Sequence, residues 1–304
     1  MNWKAKGLIQ NALSTIPGGH TCSYFLQRTL GQLRSDAAID NAFEQDVTVL
    51  FERIARLELD PRKGRILEIG TGWLPTFPLS LALAGFRNIY TVDLYPHLRE
   101  SATRRTLLAL EKFLDHPAFQ YFATPDHVHE TFQRLSRSSA IFPEAGITYQ
   151  APCNAGDTRW PSGSMDLITS NNVFEHVPMQ GLIALFNEAK RLLRPKGYIL
   201  HCVNCGDHYA YADNSITQVN YLRFSEREWR RWNNSIQYQN RLRPIDFIEL
   251  ADRGGFHVEL AEYQPNLINV AELSRMKISP EFSHYDLDQL ASTSLTLVAS
   301  STVN

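Results

Sequence analysis

The chain has 304 residues, of which 43 % are hydrophobic and 20 % charged, so it can fill the core of one large domain and is not a disordered chain. Its formal net charge is −2 and no run of Lys and Arg is long enough to track a phosphate backbone, which argues against nucleic acid as a main partner. No stretch of about eighteen apolar residues spans a membrane, Met1–Leu13 lacks the apolar length of a secretory signal, and the four cysteines, Cys22, Cys153, Cys202 and Cys205, form no disulfide framework. The expectation is a cytoplasmic protein with no membrane partner.

Residues 1–60 read as an N-terminal helical extension, and Phe43–Leu59 carries Val47, Leu50, Phe51, Ile54 and Leu57 at helical spacing. A strand at Arg65–Gly70 then leads to a helix at Pro78–Ala84 and a second strand at Ile89–Asp93. An insertion at 95–146 precedes the third strand, Ile147–Ala151, and the fourth, Asp166–Asn171. The helix Gln180–Leu193 ends at the stop signal Arg194-Pro195-Lys196-Gly197, before a fifth strand at Tyr198–Val203. A second insertion, 206–243, separates this strand from the helix Pro244–Asp252, which stops at Gly254-Gly255. The last strands are His257–Tyr263 and Leu295–Ser300, and the alternating Leu295, Leu297 and Ala299 place the final one antiparallel beside the sixth. Short apolar strands alternating with helices predict a doubly wound, seven-stranded α/β sheet over residues 61–304. Long excursions at the carboxyl ends of strands are expected to act as lids or binding walls.

The first strand runs into Glu68-Ile69-Gly70-Thr71-Gly72-Trp73, a turn whose glycines let the backbone approach a ligand. Asp93 ends the second strand, where a carboxylate can accept hydrogen bonds from a ribose diol or cap the helix that follows. The fourth strand continues as Asn171-Asn172-Val173-Phe174-Glu175-His176-Val177, and a Leu193-Arg194-Pro195-Lys196-Gly197 turn follows the next helix. In this order, over residues 64–204, these segments resemble the class I S-adenosylmethionine-dependent methyltransferases, a Rossmann-like family.

The resemblance implies S-adenosylmethionine as cofactor. Glu68, Gly70 and Gly72 would hold its methionine end, with Thr71 and Trp73 alongside. Asp93 would take the ribose hydroxyls and Leu94 would lie against the adenine. Asn154 and Ala155 stand where the family has an Asp-Ala pair that contacts the adenine amino group, and an amide oxygen can still accept that bond. Asn171 would lie under the sulfonium. The family's third turn glycine is absent, since Trp73, Leu74 and Pro75 follow Gly72. Trp73 is thus open to two readings, an aromatic face for the sulfonium or a core side chain. A nicotinamide dehydrogenase would need a glycine where Pro75 stands.

Methyl transfer to a hydroxyl or an ammonium needs a proton acceptor near the ends of the fourth and fifth strands. His176 is one candidate. The others lie in His201-Cys202-Val203-Asn204-Cys205-Gly206-Asp207-His208, where Asp207 could hold the His208 imidazole in the tautomer a base requires. The segment resembles that of a little-characterised group within the family. His201, Cys202, Cys205, Asp207 and His208 also carry metal-ligand atoms, but residues 201 and 202 of a strand point to opposite faces, so a base is favoured and no metal is expected. A hydrogen-bonded loop that only shapes the cleft is the third reading.

Arg223 and Arg241, with Tyr209 and Tyr211, are candidates for binding substrate; the arginines would take an anionic group, or else form surface ion pairs with Glu226 or Glu228. The expected reaction is O- or N-methylation of a small-molecule substrate, such as an anionic metabolite or natural-product intermediate. A saccharide or protein acceptor, and a non-catalytic cofactor-binding protein, are the alternatives.

Overall fold

A computed structural model describes residues 2–15 and 35–302 of the chain. Cys22 lies outside the described residues.

The N-terminal part contributes α1 (Trp3–Ser14), α2 (Ala37–Asn41), a π-helical turn over Ala42–Val47, and α3 (Thr48–Ala55). Then come β1 (Arg65–Ile69), α4 (Thr76–Leu83) and β2 (Asn88–Val92). The first insertion folds as α5 (Glu100–Ala109), two 3-10 turns, α6 (Pro125–Arg137) and α7 (Ile141–Ala145). Beyond it lie β3 (Ile147–Gln150), β4 (Met165–Asn171), α8 (Met179–Leu192) and β5 (Leu193–Asn204). The second insertion holds two 3-10 turns, His208–Tyr211 and Asn220–Arg223, and the single-turn α9 (Glu226–Trp229). The chain closes with α10 (Pro244–Arg253), β6 (Phe256–Glu262), α11 (Leu267–Leu273), α12 (Leu287–Ala291) and β7 (Ser294–Ser301).

The seven strands form one sheet in the order β3-β2-β1-β4-β5-β7-β6. β1 to β5 pair in parallel, and β7 enters antiparallel between β5 and β6, with Leu200 opposite Val298 and Ala261 opposite Leu297. All seven strands fall where the sequence places them. β5 begins earlier, at Leu193, because the Arg194-Pro195-Lys196-Gly197 turn forms a bulge against Met165 rather than a break.

Adjacent strand residues serve opposite faces, which is why these strands read as unbroken apolar runs. Ile66, Leu167, Leu200 and Val298 pack into one layer with Phe43, Leu50, Phe51, Leu79, Leu110, Phe119 and Leu135. Leu67, Ile168, Ile199 and Leu297 pack into the other with Leu182, Phe186, Phe247 and Leu250. The first insertion is thus not a lid: its apolar face completes the core over α4, which is buried on every side. The α2–α3 helices belong to the same core. A third, smaller cluster joins Trp3 of α1 to Tyr209, Tyr221, Leu222 and Trp229 of the second insertion and to Leu273, Phe282 and Leu290 near the C-terminus. Among the described residues, no helix is long and apolar enough to cross a membrane.

Candidate active site

The turn after β1 is shaped by what flanks it. Gly70 has φ +86°, and a Cβ there would stand 2.4 Å from Cγ2 of Val173, just after β4. Only glycine fits so close a passage. Gly72 has φ +66°, but a Cβ there would meet nothing within 4 Å, so this side of the turn faces open space. Below the turn, Glu68 is buried and accepts a 2.5 Å hydrogen bond from the Thr91 hydroxyl, which also meets that of Thr71. Burial pushes the Glu68 carboxyl up to about 8, against the Thr91 hydrogen bond and with a further push from the nearby Asp93.

Asp93 sits just past β2 and accepts from the Gly72 amide at 2.9 Å, which locks the turn to the strand end. Its backbone carbonyl takes the Cys153 amide at 2.8 Å and so draws residues 153–155 beside Leu94, which is 56 % exposed. Glu68, the open Gly72 turn, Asp93 and Leu94, the residues that the resemblance expects along the cofactor, are thus brought together at the ends of β1 and β2. Asn154 is exposed, and its Oδ1 accepts from the Gly156 amide at 3.0 Å, leaving the second lone pair of that oxygen for a ligand. Trp73 is not a core residue: half-buried, it lies 4.1 Å, centroid to centroid, from the His97 ring.

Asn171 ends β4, and its side-chain amide lies close enough to Asp46 to pull that carboxyl down against the burial that pushes it up. Asp46 belongs to the π-helical turn, and such turns commonly mark functional sites. The sequence reading missed it. The available signal was an acidic side chain directly before the buried Val47, at the edge of an apolar face.

The predicted base cluster is only partly assembled. His201 is buried on β5 beside β4, its Nδ1 2.8 Å from Ser170 Oγ and its ring 4.1 Å from Phe174, and burial holds it down at about 3. It is a neutral core histidine and not a catalytic one. Cys202 points to the opposite face toward Thr296, as strand alternation requires, and Cys205 is buried in the core, so the five-residue metal reading fails.

Asp207 is likewise not the partner of His208. It is fully buried and spends its oxygens on the Tyr209 amide at 2.9 Å and the Asn220 amide group at 3.0 Å, capping the 3-10 turn. The carboxylate facing His208 is Glu175, with Oε1 4.0 Å from Nε2. The His176 ring lies 4.9 Å from that of His208, and its Nδ1 is 2.6 Å from the Tyr238 carbonyl. Burial lowers the His176 imidazole and takes His208 down to about 3, the latter aided by His176 and Lys6. Burial pushes Glu175 up to about 8, against a smaller pull from the backbone amides of Glu175 and Asn204.

The second insertion brings these groups together. Asn240 donates from its backbone to the Glu175 carbonyl at 2.9 Å, and from its side chain to the carbonyls of Phe174 at 2.7 Å and Val177 at 2.9 Å. Gln239 accepts from the His208 amide at 3.1 Å. The end of the insertion is thereby clamped onto the 3-10 turn Phe174–His176 that follows β4.

Three of the four expected substrate contacts are employed elsewhere. Arg241 is buried and donates to the carbonyls of Phe224 at 2.5 Å and Tyr221 at 3.2 Å and to Glu226 at 2.8 Å, while Arg223 is bound to Glu272. Tyr209 is buried, with its hydroxyl on the Trp232 carbonyl at 2.6 Å. Arg241 and Tyr209 serve the small core that the insertion needs to fold, and Arg223 forms a surface ion pair. Tyr211 remains exposed, its ring 5.6 Å from that of His208.

Residues 42–259 match the family profile described as a methyltransferase domain. No curated protein matches the chain. Among solved structures it is similar to an S-adenosylmethionine-dependent methyltransferase from Methanosarcina mazei, at 13 % identity and a TM-score of 0.45, covering 83 % of this chain and 98 % of that one. It is also similar to one from Mesorhizobium loti, at 15 % identity and a TM-score of 0.41 over 82 % and 96 % of the two chains. A third is a phosphoethanolamine N-methyltransferase from Haemonchus contortus bound to S-adenosyl-L-methionine, at 15 % identity and a TM-score of 0.45 over 92 % and 59 %. With most of its length inside the family profile and the seven-stranded order around an open glycine turn, the chain belongs to the class I S-adenosylmethionine-dependent methyltransferases.

Proposed function

We propose that this enzyme methylates an oxygen or nitrogen of a small molecule held between the cofactor turn and the second insertion, and that Glu175, His176 and His208 together activate the acceptor. One observation carries the reading: Gln239 and Asn240 tie the insertion to the turn after β4, so His208 shares one small, largely buried space with Glu175 and His176, close in the chain to Asn171.

S-adenosylmethionine, when bound, supplies a methyl group on positive sulfur that is already open to displacement. Glu68, Gly70, Thr71 and Gly72 hold the amino-acid end, with Trp73 as a flanking wall. Asp93 would accept from the ribose, Leu94, Asn154 and Ala155 would border the adenine, and Asn171, beside Asp46, would lie on the side of the sulfonium. The remaining work of the chain is to align the acceptor and take up its proton. Glu175 stands in the place assigned from the sequence to Asp207, since its ionised form would stabilise positive charge on His208. Arg223 and Arg241 offer an anionic acceptor nothing, because both guanidinium groups are already paired. Tyr211 is the remaining aromatic wall.

The test is His208→Ala. Turnover with a small-molecule acceptor, read as release of S-adenosylhomocysteine, is expected to fall by about 100-fold or more, the usual worth of a positioned proton acceptor. Cofactor affinity, measured by calorimetry, is expected to stay within about twofold, because the lost contacts matter during transfer. Undiminished turnover would remove His208 from the reaction.

A further inference from the structure

The Glu175 carboxyl is 2 % exposed, and neither of its oxygens makes a well-formed hydrogen bond. His208 Nε2 is also buried without a partner. The Tyr238 carbonyl accepts from His176 Nδ1, which places the proton on Nδ1 and leaves the Nε2 lone pair free. One ligand atom from each of these three side chains can be chosen so that all lie within 4.8 Å of one another. Three side chains that can each offer an electron pair therefore converge where the Glu175 oxygens and His208 Nε2 make no well-formed hydrogen bond. A buried polar group is normally satisfied, and the unpartnered Glu175 oxygens and His208 Nε2, beside the Nε2 lone pair of His176, call for a ligand. One proton on Glu175 would serve one of them; a cation at the centre serves all three.

The donor set identifies the cation. Two imidazole nitrogens and one carboxylate suit Zn²⁺ and its transition-metal neighbours, whereas Mg²⁺ and Ca²⁺ prefer oxygen. Metal–ligand bonds near 2.0–2.2 Å set tetrahedral ligands about 3.3 Å apart, so small side-chain rotations close the present spacing. The Tyr238 carbonyl on the far nitrogen of His176 is the outer contact that fixes a metal-binding tautomer. Three protein ligands leave a fourth position open, the pattern of catalytic and not structural zinc.

We propose that Glu175, His176 and His208 bind a divalent transition-metal ion, zinc by the chemistry of its donors, whose open position receives the acceptor atom. The assignment of the open position rests on the function proposed above; the metal site itself does not. With the ion bound, His208 is a ligand and no longer a proton acceptor: a hydroxyl in the open position gives its proton to water, and its electron pair stays on oxygen for attack on the methyl carbon.

The experiment is calorimetric titration of the chelator-treated full chain with Zn²⁺, and with Co²⁺ as a coloured probe, in the absence of any acceptor. The wild type is expected to bind one equivalent and to give the visible absorption of four-coordinate Co²⁺. Glu175→Gln and His208→Ala are expected to weaken binding by about 100-fold or more, with S-adenosylmethionine affinity retained as proof of folding. Absence of binding to the wild type, or equal binding by both variants, overturns the site. Metal binding with normal variant losses, but no methylation of any small hydroxyl or amine, instead overturns the proposed function and leaves the site standing.

Discussion

His208 Nε2 faces Glu175 Oε1 at 4.0 Å, across the junction between the second insertion and the turn that ends β4. One residue comes from the 3-10 turn after the sheet's central strand and the other from a segment clamped to it by Asn240. The proposed acceptor side is thus built by docking, while the proposed cofactor side is built from strand ends of the sheet, with Asp93 bonded to the Gly72 amide.

Asp93→Ala removes the acceptor of the Gly72 amide and the charged acceptor expected for the ribose. Hydrogen bonds to a charged group contribute about 1.5–3 kcal/mol, so S-adenosylmethionine affinity should fall by roughly 10- to 150-fold. Calorimetry on a variant with a native circular dichroism spectrum checks it; wild-type affinity would refute the role of Asp93.

Gly70→Ala and Gly72→Ala should differ in kind. Both place a side chain at positive φ, at a cost of about 1–2 kcal/mol. Gly70→Ala also drives a Cβ to 2.4 Å from Val173 Cγ2 and adds about 1–3 kcal/mol of overpacking. Val173→Ala should relieve that second part and leave the first, which a double-mutant cycle of urea unfolding would measure. Gly72→Ala, with nothing within 4 Å, should lose affinity for the cofactor more than stability.

The pH dependence has two opposed arms. Glu175 and Glu68 are raised from 4.5 to about 8, so the stability tied to their protonated forms is fully present below pH 4.5 and is lost as pH climbs through 8. Glu188 is held down at about 2, first by Arg191 and then by Thr158, so its contribution is present above pH 4.5 and lost as pH falls through 2. Urea midpoints of the cofactor-free protein should decline from pH 5 to 8, and Glu175→Gln should flatten that decline. Glu188→Gln should flatten only the acid side. A variant Glu175→Gln with the wild-type slope would contradict the assigned burial.

Arg241→Met separates a structural arginine from a substrate-binding one. It strips the Phe224 carbonyl of its side-chain donor, the Tyr221 carbonyl of one of two donors and Glu226 of its partner, and should cost about 2–4 kcal/mol of stability. The KM for the acceptor should stay within about twofold at a temperature where the variant is folded. A tenfold rise in KM would restore Arg241 to the substrate site.

The sequence by itself determined the sheet and the cofactor turn. Strand residues such as Ile66 and Leu67 serve opposite layers, so burial on both faces leaves its mark as contiguous apolar runs. The Glu68–Gly72 turn and Asp93 follow directly from strands whose ends are local features, and glycine at positive φ is a backbone demand legible at single positions. The proposed acceptor side was decided by tertiary structure alone. Asp207 and His208 are neighbours in the chain, yet one side chain caps its own turn inside the insertion and the other points out of it. The partner of His208 stands 33 positions away in Glu175, joined through Gln239 and Asn240, and no periodicity or spacing encodes which carboxylate a docked segment will meet. The same holds for Arg241 and for the first insertion. Their polarity and length are compatible with a site or a lid, and only the packing of Trp229, Phe282 and Phe119 around them assigns them to the interior.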